Sequence, residues 1–389
     1  MRLSAALTSA AMLLSANAFP PLAACTGTTL DCSLNGICVD GSCVCDFGWK
    51  GTNCGNISLG MTDPTRGHAF DSGSSSWGGL PIKADDGTWH LFYSQFARGC
   101  GLSAWSTNSR IVHAVALTAD GPFIDKDVVE PAFSHNAQAM RAIDGTWVVF
   151  YIGCGQGEAV RDCGGSPADS LPLAPRTTPP RGPGWNPSKW CSPLEWREAL
   201  GEGYISYSFA SSPDGPWTPL GRPAFVGSND TRRWDTLTTN PAPFPLADGR
   251  VLLGLSGDNG SEGKCIGVAE ATSWNGTYIA DPIVAMRGGE DPFLWVNQRG
   301  DRHIIYHDVA GTSNGGHIYA PATNSTQWTL GTHSLYTGLL QWPNGTSVTV
   351  YDRERPKIVF NESGAPVLLY NGLAVYNYLH SFTAVTYFE

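Results

Sequence analysis

Residues Arg287 to Asp308 read RGGEDPFLWVNQRGDRHIIYHD: an apolar strand, a turn carrying Gly300, and a second apolar strand. Two carboxylates, Glu290 and Asp291, stand side by side where the first strand begins. A buried strand has no ordinary use for adjacent acids, because an unpaired charge away from water is expensive. The placement makes sense if the strand starts at a wet opening that several such strands share.

Four more segments align with this one. In chain order the five are WGGLPIKADDGTWHLFY, HNAQAMRAIDGTWVVFY, TNPAPFPLADGRVLLGL, EDPFLWVNQRGDRHIIY and ERPKIVFNESGAPVLLY. Nine residues before the turn glycines Gly87, Gly145, Gly249, Gly300 and Gly364 lie Gly78, Asn136, Asn240, Asp291 and Arg355, here termed markers. Proline follows three of the five. Most of these hairpins lead into a third strand with a related phrase, as in IVHAVALTADGPF and YISYSFASSPDGPW. Successive markers are 58, 104, 51 and 64 residues apart, the long gap holding a Gly- and Pro-rich insertion at about 155–202. Five antiparallel units of this period indicate an all-β chain folded as a five-bladed β-propeller. With the first strand of each unit innermost, the markers ring one mouth of the central channel. Adjacent residues on a regular strand point to opposite faces, so only one of Glu290 and Asp291 is expected to look into that mouth.

Composition agrees. Of 389 residues only 15% are charged, while Gly (46), Pro (27) and Trp (14) are plentiful, as suits many turns and aromatic-lined surfaces. A net charge of −10 argues against a nucleic-acid backbone or an anionic membrane as partner. Residues 1–18 have a basic start, an apolar run and a small-x-small end at Ala16 and Ala18, which reads as a secretory signal cut after Ala18. No later run is apolar and long enough to cross a bilayer. Seven N-x-S/T sequons, at Asn56, Asn229, Asn259, Asn275, Asn324, Asn344 and Asn361, favour a secreted glycoprotein.

Six of the eleven cysteines fall within Cys25–Cys54, which in a secreted chain reads as a disulfide framework; spacing alone leaves fifteen pairings open. The ending CDFGWKGTNC resembles the EGF-like module. That resemblance implies the pairs Cys25–Cys38, Cys32–Cys43 and Cys45–Cys54, and a spacer or adhesion role, with cell-wall or matrix association a candidate use. Residues PLAA precede the first cysteine, where calcium-binding versions carry acids. Residues 55–76 read as linker and lead-in to the first blade, and 77–389 as the propeller. An odd number of cysteines remains: Cys100, Cys154, Cys163, Cys191 and Cys265.

The propeller portion resembles the five-bladed glycoside hydrolases of the arabinanase and β-xylosidase type, family 43. In that family a Glu-Gly-Pro in the fourth blade supplies the general acid, and Glu290-Asp291-Pro292 matches it with Asp in place of Gly. The family's general base is an Asp in the first blade, where this chain has Gly78. A third carboxylate opens the third blade, where this chain has Asn240. Hydrolysis needs a second carboxylate facing Glu290, whether it acts as base or as nucleophile. Asp71, leading into the first blade, and Asp235, five residues before Asn240, are the candidates.

A histidine is an alternative base, since imidazole titrates near neutrality. His135, directly before a marker, is the best placed, and His68 is a second candidate. Substrate contacts are expected from Asn136, Asn240, Asp291, Arg355, Trp77 and His68. Arg355 is suited to a uronate carboxylate or a sulfate, and Trp77, Trp105, Trp185, Trp190 and Trp234 to sugar faces. No cofactor is expected, although related propellers sometimes hold a channel calcium through a histidine and waters, for which His317 is the candidate. The leading expectation is a secreted glycoside hydrolase with Glu290 as acid. A carbohydrate-binding or adhesion propeller is the alternative, and a uronate-directed lyase using His135 and Arg355 is the third.

Overall fold

The computed structural model describes residues 25–389 apart from 69–74, 154, 156–160, 165–170, 178–204, 221–222, 229, 231, 259–262, 310–313 and 376–378. Five separate antiparallel sheets form the blades of one propeller. Blade one comprises Ser76–Trp77 and Ile82–Lys83, both pairing with Trp89–Phe96, followed by Ser109–Ala116 and Ile124–Glu130. Blade two runs from Ser134–Arg141 through Trp147–Gly153 and Ile205–Ala210 to Thr218–Pro219. The inner three strands of blade three are Leu237–Pro245, Val251–Asp258 and Lys264–Ala271, and those of blade four are Gly289–Val296, Arg302–Asp308 and Gly315–Ala320. Blade five is built from Asp352–Phe360, Pro366–Ala374 and Ser381–Phe388.

The strands read as apolar runs rather than as alternating patterns because both faces of a blade are covered by neighbours. Leu91 and Tyr93 pack toward blade five, against Tyr370 and Val385. Phe92, between them, packs toward blade two, against Trp147 and Tyr151. Val251, Leu253 and Leu255 likewise face blade two, whereas Leu252 faces Leu294 and Ile304 of blade four. Each blade therefore needs both neighbours, and the ring must close.

Closure comes from a segment that the sequence reading treats as linker. Leu59–His68 pairs antiparallel with Ser381–Phe388 and becomes the fourth strand of blade five. Residues 55–76 are thus only partly a lead-in: N-terminal chain is zipped into the C-terminal sheet. Thr62 and Thr386 hydroxyls bond at 2.7 Å across this junction.

The EGF-like module carries the three implied disulfides, Cys25–Cys38, Cys32–Cys43 and Cys45–Cys54. Cys100 pairs with Cys163, and Cys265 is a buried free thiol; Cys154 and Cys191 lie outside the described residues. The module is seated on blades four and five. Arg299 donates to the Leu34 carbonyl and pairs with Asp46 at 2.7 Å, and Trp49 lies against His317 at 5.0 Å between ring centroids. Gly48 has φ +81°, and a Cβ there would sit 2.7 Å from Pro366 Cγ, so the close approach requires glycine. Arg299→Ala is expected to cost about 1–2 kcal/mol, roughly one for the bond to the Leu34 carbonyl and at most about one for the Asp46 pair, which is more than a third exposed. Faster amide exchange in residues 25–57 than in the blades would identify the loss as undocking of the module.

Candidate active site

All five markers adopt the left-handed backbone conformation: Gly78 at φ 69°, Asn136 and Asn240 at 56°, Asp291 at 58° and Arg355 at 54°. In blades two to five the register of the inner strand slips at the marker, between His135 and Gln138, Thr239 and Ala242, Glu290 and Phe293, and Glu354 and Lys357. The marker is therefore the turning residue of a β-bulge. Only glycine adopts this φ without strain, yet four blades place a larger side chain there.

Those side chains reach across the channel to one another. Asn136 Nδ2 donates to Asn240 Oδ1 at 2.7 Å, and Asn240 Nδ2 donates to Asp291 Oδ1 at 2.8 Å. Asp291 pairs with the Arg355 guanidinium and also accepts from the Arg355 backbone N–H at 3.3 Å. A Cβ on Gly78 would meet the Arg355 side chain at 3.6 Å, ordinary contact, so the first-blade marker adjoins the end of this chain of contacts. The backbone is pinned as well: Asn136 N–H donates to Ser94 Oγ at 2.8 Å, and Asp291 N–H to Ser256 Oγ at 3.0 Å.

Above this ring opens a pocket of about 390 Å³. It is lined by Trp77, Leu102, Ser103, Trp105, His135, Asn136, Ile152, Thr239, Asn240, Lys264, Glu290, Glu354 and Arg355. The residue immediately before each marker, namely Trp77, His135, Thr239, Glu290 and Glu354, contributes in every blade. The bulge also lets both acids of the opening stretch point inward. Asn240 Nδ2 reaches Glu290 Oε1 at 3.2 Å as well as Asp291. Glu290 lines the pocket, while Asp291, 1% exposed, lies beneath its floor.

Charge separates the acids. Burial alone would raise the Glu290 pKa, but Lys264, Arg355, His307 and the Asn240 amide together hold it below the ordinary carboxylate range. Lys264 Nζ stands 3.5 Å from Glu290 Oε1. Burial raises the Asp291 carboxyl against the pull of Arg355, yet its bonded neighbours, Asn240 and Arg355, are donors, so the ionised form fits the site. Glu354 is different: burial first, then Asp291 and Asp352, push it well above the ordinary range.

The other candidate residues separate into those at the pocket and those elsewhere. His135 lines the pocket, but burial drives its pKa well below the ordinary imidazole value, and its Nδ1 bonds Ser109 Oγ at 2.8 Å. It is held neutral by a buried shell and is not poised near neutrality. Asp235 is not part of the lining; its carboxylate is buried and taken by Arg233 at 2.8 Å. His68 is on the closing strand of blade five, bonded to Asp125 and to Tyr93, both at 2.9 Å, away from the mouth. Trp234 packs in the core between blades two and three and donates to the Asp281 carbonyl. Asp71, Trp185 and Trp190 lie outside the described residues. Arg355 is at the mouth as expected, but Asp291 engages its guanidinium.

Neither the His317 position nor the acidic cluster in the channel fits a metal well. His317 is on the third strand of blade four, stacked on His303 and Trp295 and bonded through Nε2 to His303 Nδ1 at 3.1 Å, with Trp49 covering it. In the channel, Asp291, His307 and Glu354 bring donor atoms within 4.8 Å of one another. The Arg355 guanidinium already supplies the positive charge there, and a divalent ion would meet it at close range.

The comparisons agree with this architecture. Residues 29–56 match the Teneurin-like EGF domain. The fold resembles a family 117 glycoside hydrolase from the marine bacterium Zobellia galactanivorans, with TM-score 0.55, 15% identity, and coverage of 85% of this chain and 89% of that one. A thermostable family-43 glycoside hydrolase aligns with TM-score 0.54 at 12% identity over 85% and 94% of the two chains. The family 62 α-L-arabinofuranosidase of Coprinopsis cinerea aligns with TM-score 0.52 at 11% identity over 85% and 97%. At these identities the likeness concerns the fold. No curated protein matches the chain.

Proposed function

We propose that this chain is a secreted glycoside hydrolase that cleaves an extracellular polysaccharide or glycan at the channel mouth. The observation that carries the reading is Glu290: a carboxylate facing Lys264 and Asn240, on the wall of a pocket that also presents Trp105, whereas Trp77 is buried in the core behind it. Aromatic faces suit the C–H faces of sugar rings, and the volume admits one or two rings. The propeller fold shared with family 43, 62 and 117 enzymes supports the same class.

In this reading Glu290 is the base, in place of the general-acid role that the family resemblance implies. Lys264, Arg355 and Asn240 all favour its charged form, so it accepts the proton of an attacking water. A lyase reading loses its two groups, since His135 is buried and neutral and Arg355 is held by Asp291.

The replacement of two family carboxylates by Gly78 and Asn240 favours one other reading, a glycan-binding propeller without turnover. Incubating the full chain with arabinan, arabinoxylan, xylan and β-galactan separates the two. Soluble sugar release that scales with protein is expected; binding to any of them with no release would replace hydrolysis with recognition.

A further inference from the structure

A departing sugar oxygen needs a proton, and Glu290 does not hold one. Among the described lining residues there is one other carboxyl, Glu354. The two occupy equivalent places: each directly precedes a marker, at the bulge of an inner strand, on neighbouring blades four and five. We propose that Glu354 is the catalytic proton donor of this pocket, an inference that rests on the hydrolase reading above.

Burial and two neighbouring acids favour the neutral form of Glu354, and Arg355 opposes them. Asp291 reaches it from the inner strand of blade four, and Asp352 and Arg355 from its own strand. His307, on the second strand of blade four, places Nδ1 3.8 Å from Glu354 Oε1, and Tyr336 lies close by, ahead of blade five. Asp291 and Glu354 bring carboxylate oxygens within 4.8 Å of one another, and two carboxyls that close disfavour ionisation of both. Glu290, by contrast, meets a lysine and an amide donor. Two titratable groups in one pocket are thus driven in opposite directions, the arrangement that divides acid from base. Asn371 Nδ2 donates to the Glu354 carbonyl at 3.1 Å and fixes the backbone that aims the side chain.

The step balances. The glycosidic C1–O bond breaks with its electron pair staying on oxygen, and that oxygen takes the Glu354 proton. The oxygen of one water bonds to C1, and the proton it sheds passes to Glu290. An alcohol and a free sugar leave; Glu290 then releases its proton to solvent and Glu354 is reprotonated.

The test compares the panel polysaccharide that the wild-type chain cleaves best with the matching 2,4-dinitrophenyl glycoside, whose leaving group needs no proton. Glu354→Gln is expected to lower polysaccharide cleavage at least about a hundredfold while cleavage of the aryl glycoside stays within about tenfold of wild type. Glu290→Gln should lose both. The alkaline limb of the wild-type pH–rate profile should be present with polysaccharide and absent with the aryl glycoside. Melting temperatures show whether the variant is folded. Should Glu354→Gln not fold, Glu354→Asp, which keeps the proton, is expected to retain an alkaline limb with polysaccharide, and a flat profile overturns the proposal. Folded Glu354→Gln with wild-type polysaccharide activity, or with equal loss on both substrates, overturns Glu354 and leaves the hydrolase reading standing. A wild-type chain silent on every glycan and aryl glycoside overturns that reading instead.

Discussion

Glu290→Gln is expected to yield a folded, glycan-binding protein whose cleavage of its substrate is lower by about 10²–10⁴-fold, the usual contribution of a positioned acid or base. The substitution keeps the side-chain volume, and its amide oxygen can still accept from Asn240 Nδ2. What it gives up structurally is the contact with Lys264, where both side chains are about a quarter exposed, a pair worth at most about 1 kcal/mol. A glutamine cannot take a proton from water at any working pH. The informative measurements are therefore paired: product release by reducing-sugar assay, and glycan affinity by calorimetry on the same protein. Lost release with retained affinity places Glu290 in the chemistry. Wild-type release from the variant would remove it from the mechanism, whatever its position on the pocket wall.

The pH profile follows from the directions of the shifts. Glu290 is held below the ordinary range, so the acid limb, where it gains a proton and ceases to act as base, should be displaced downward. Glu354 is held well above it, so the alkaline limb, where it loses its proton, should be displaced upward. A broad active window between two carboxyls is the expected result.

The sequence exposed the fold because a propeller repeats itself. A turn glycine nine residues beyond each marker located five equivalent positions, and all five share a left-handed backbone. The pairing of Leu59–His68 with Ser381–Phe388 was not legible, because nothing local in either strand names a partner more than three hundred residues away. Glu354 was missed for a different reason. Regular strands alternate their side chains, and in blade five that rule gives the mouth to the marker Arg355 and turns Glu354 away from it. At a bulge the rule fails, and the preceding residue also faces the mouth. A signal was present: Pro241, Pro292 and Pro356 follow their markers, and proline within a strand points to an irregularity in the ladder. The first letters of the five aligned segments, W, H, T, E and E, are the residues that line the pocket. The asparagine at the third-blade marker also becomes intelligible. Asn240 can donate and accept at once, which a carboxylate cannot, and so it links Asn136 to Asp291 and Glu290.

Asp291→Ala should damage stability, by about 3–5 kcal/mol, the cost of leaving one partner of a buried ion pair alone. Asp291 is 1% exposed and joins three blades, accepting from Asn240 of blade three and from both the guanidinium and backbone of Arg355 of blade five. Removing it strands the Arg355 charge where Nε already lacks a hydrogen-bond partner, so no spare acceptor stands ready at that atom. Alanine at φ 58° also carries a Cβ in a conformation that aspartate tolerates better. Urea unfolding monitored by tryptophan fluorescence measures the loss. Asp291→Asn isolates the charge, since it preserves shape and backbone preference while removing the partner of Arg355, and it should account for most of the effect. A loss below about 1 kcal/mol in both variants would mean that the polar ring at the channel mouth does not hold the blades in register. The bulges would then owe their geometry to the apolar interfaces between blades alone, and the left-handed markers would be strain that those interfaces absorb.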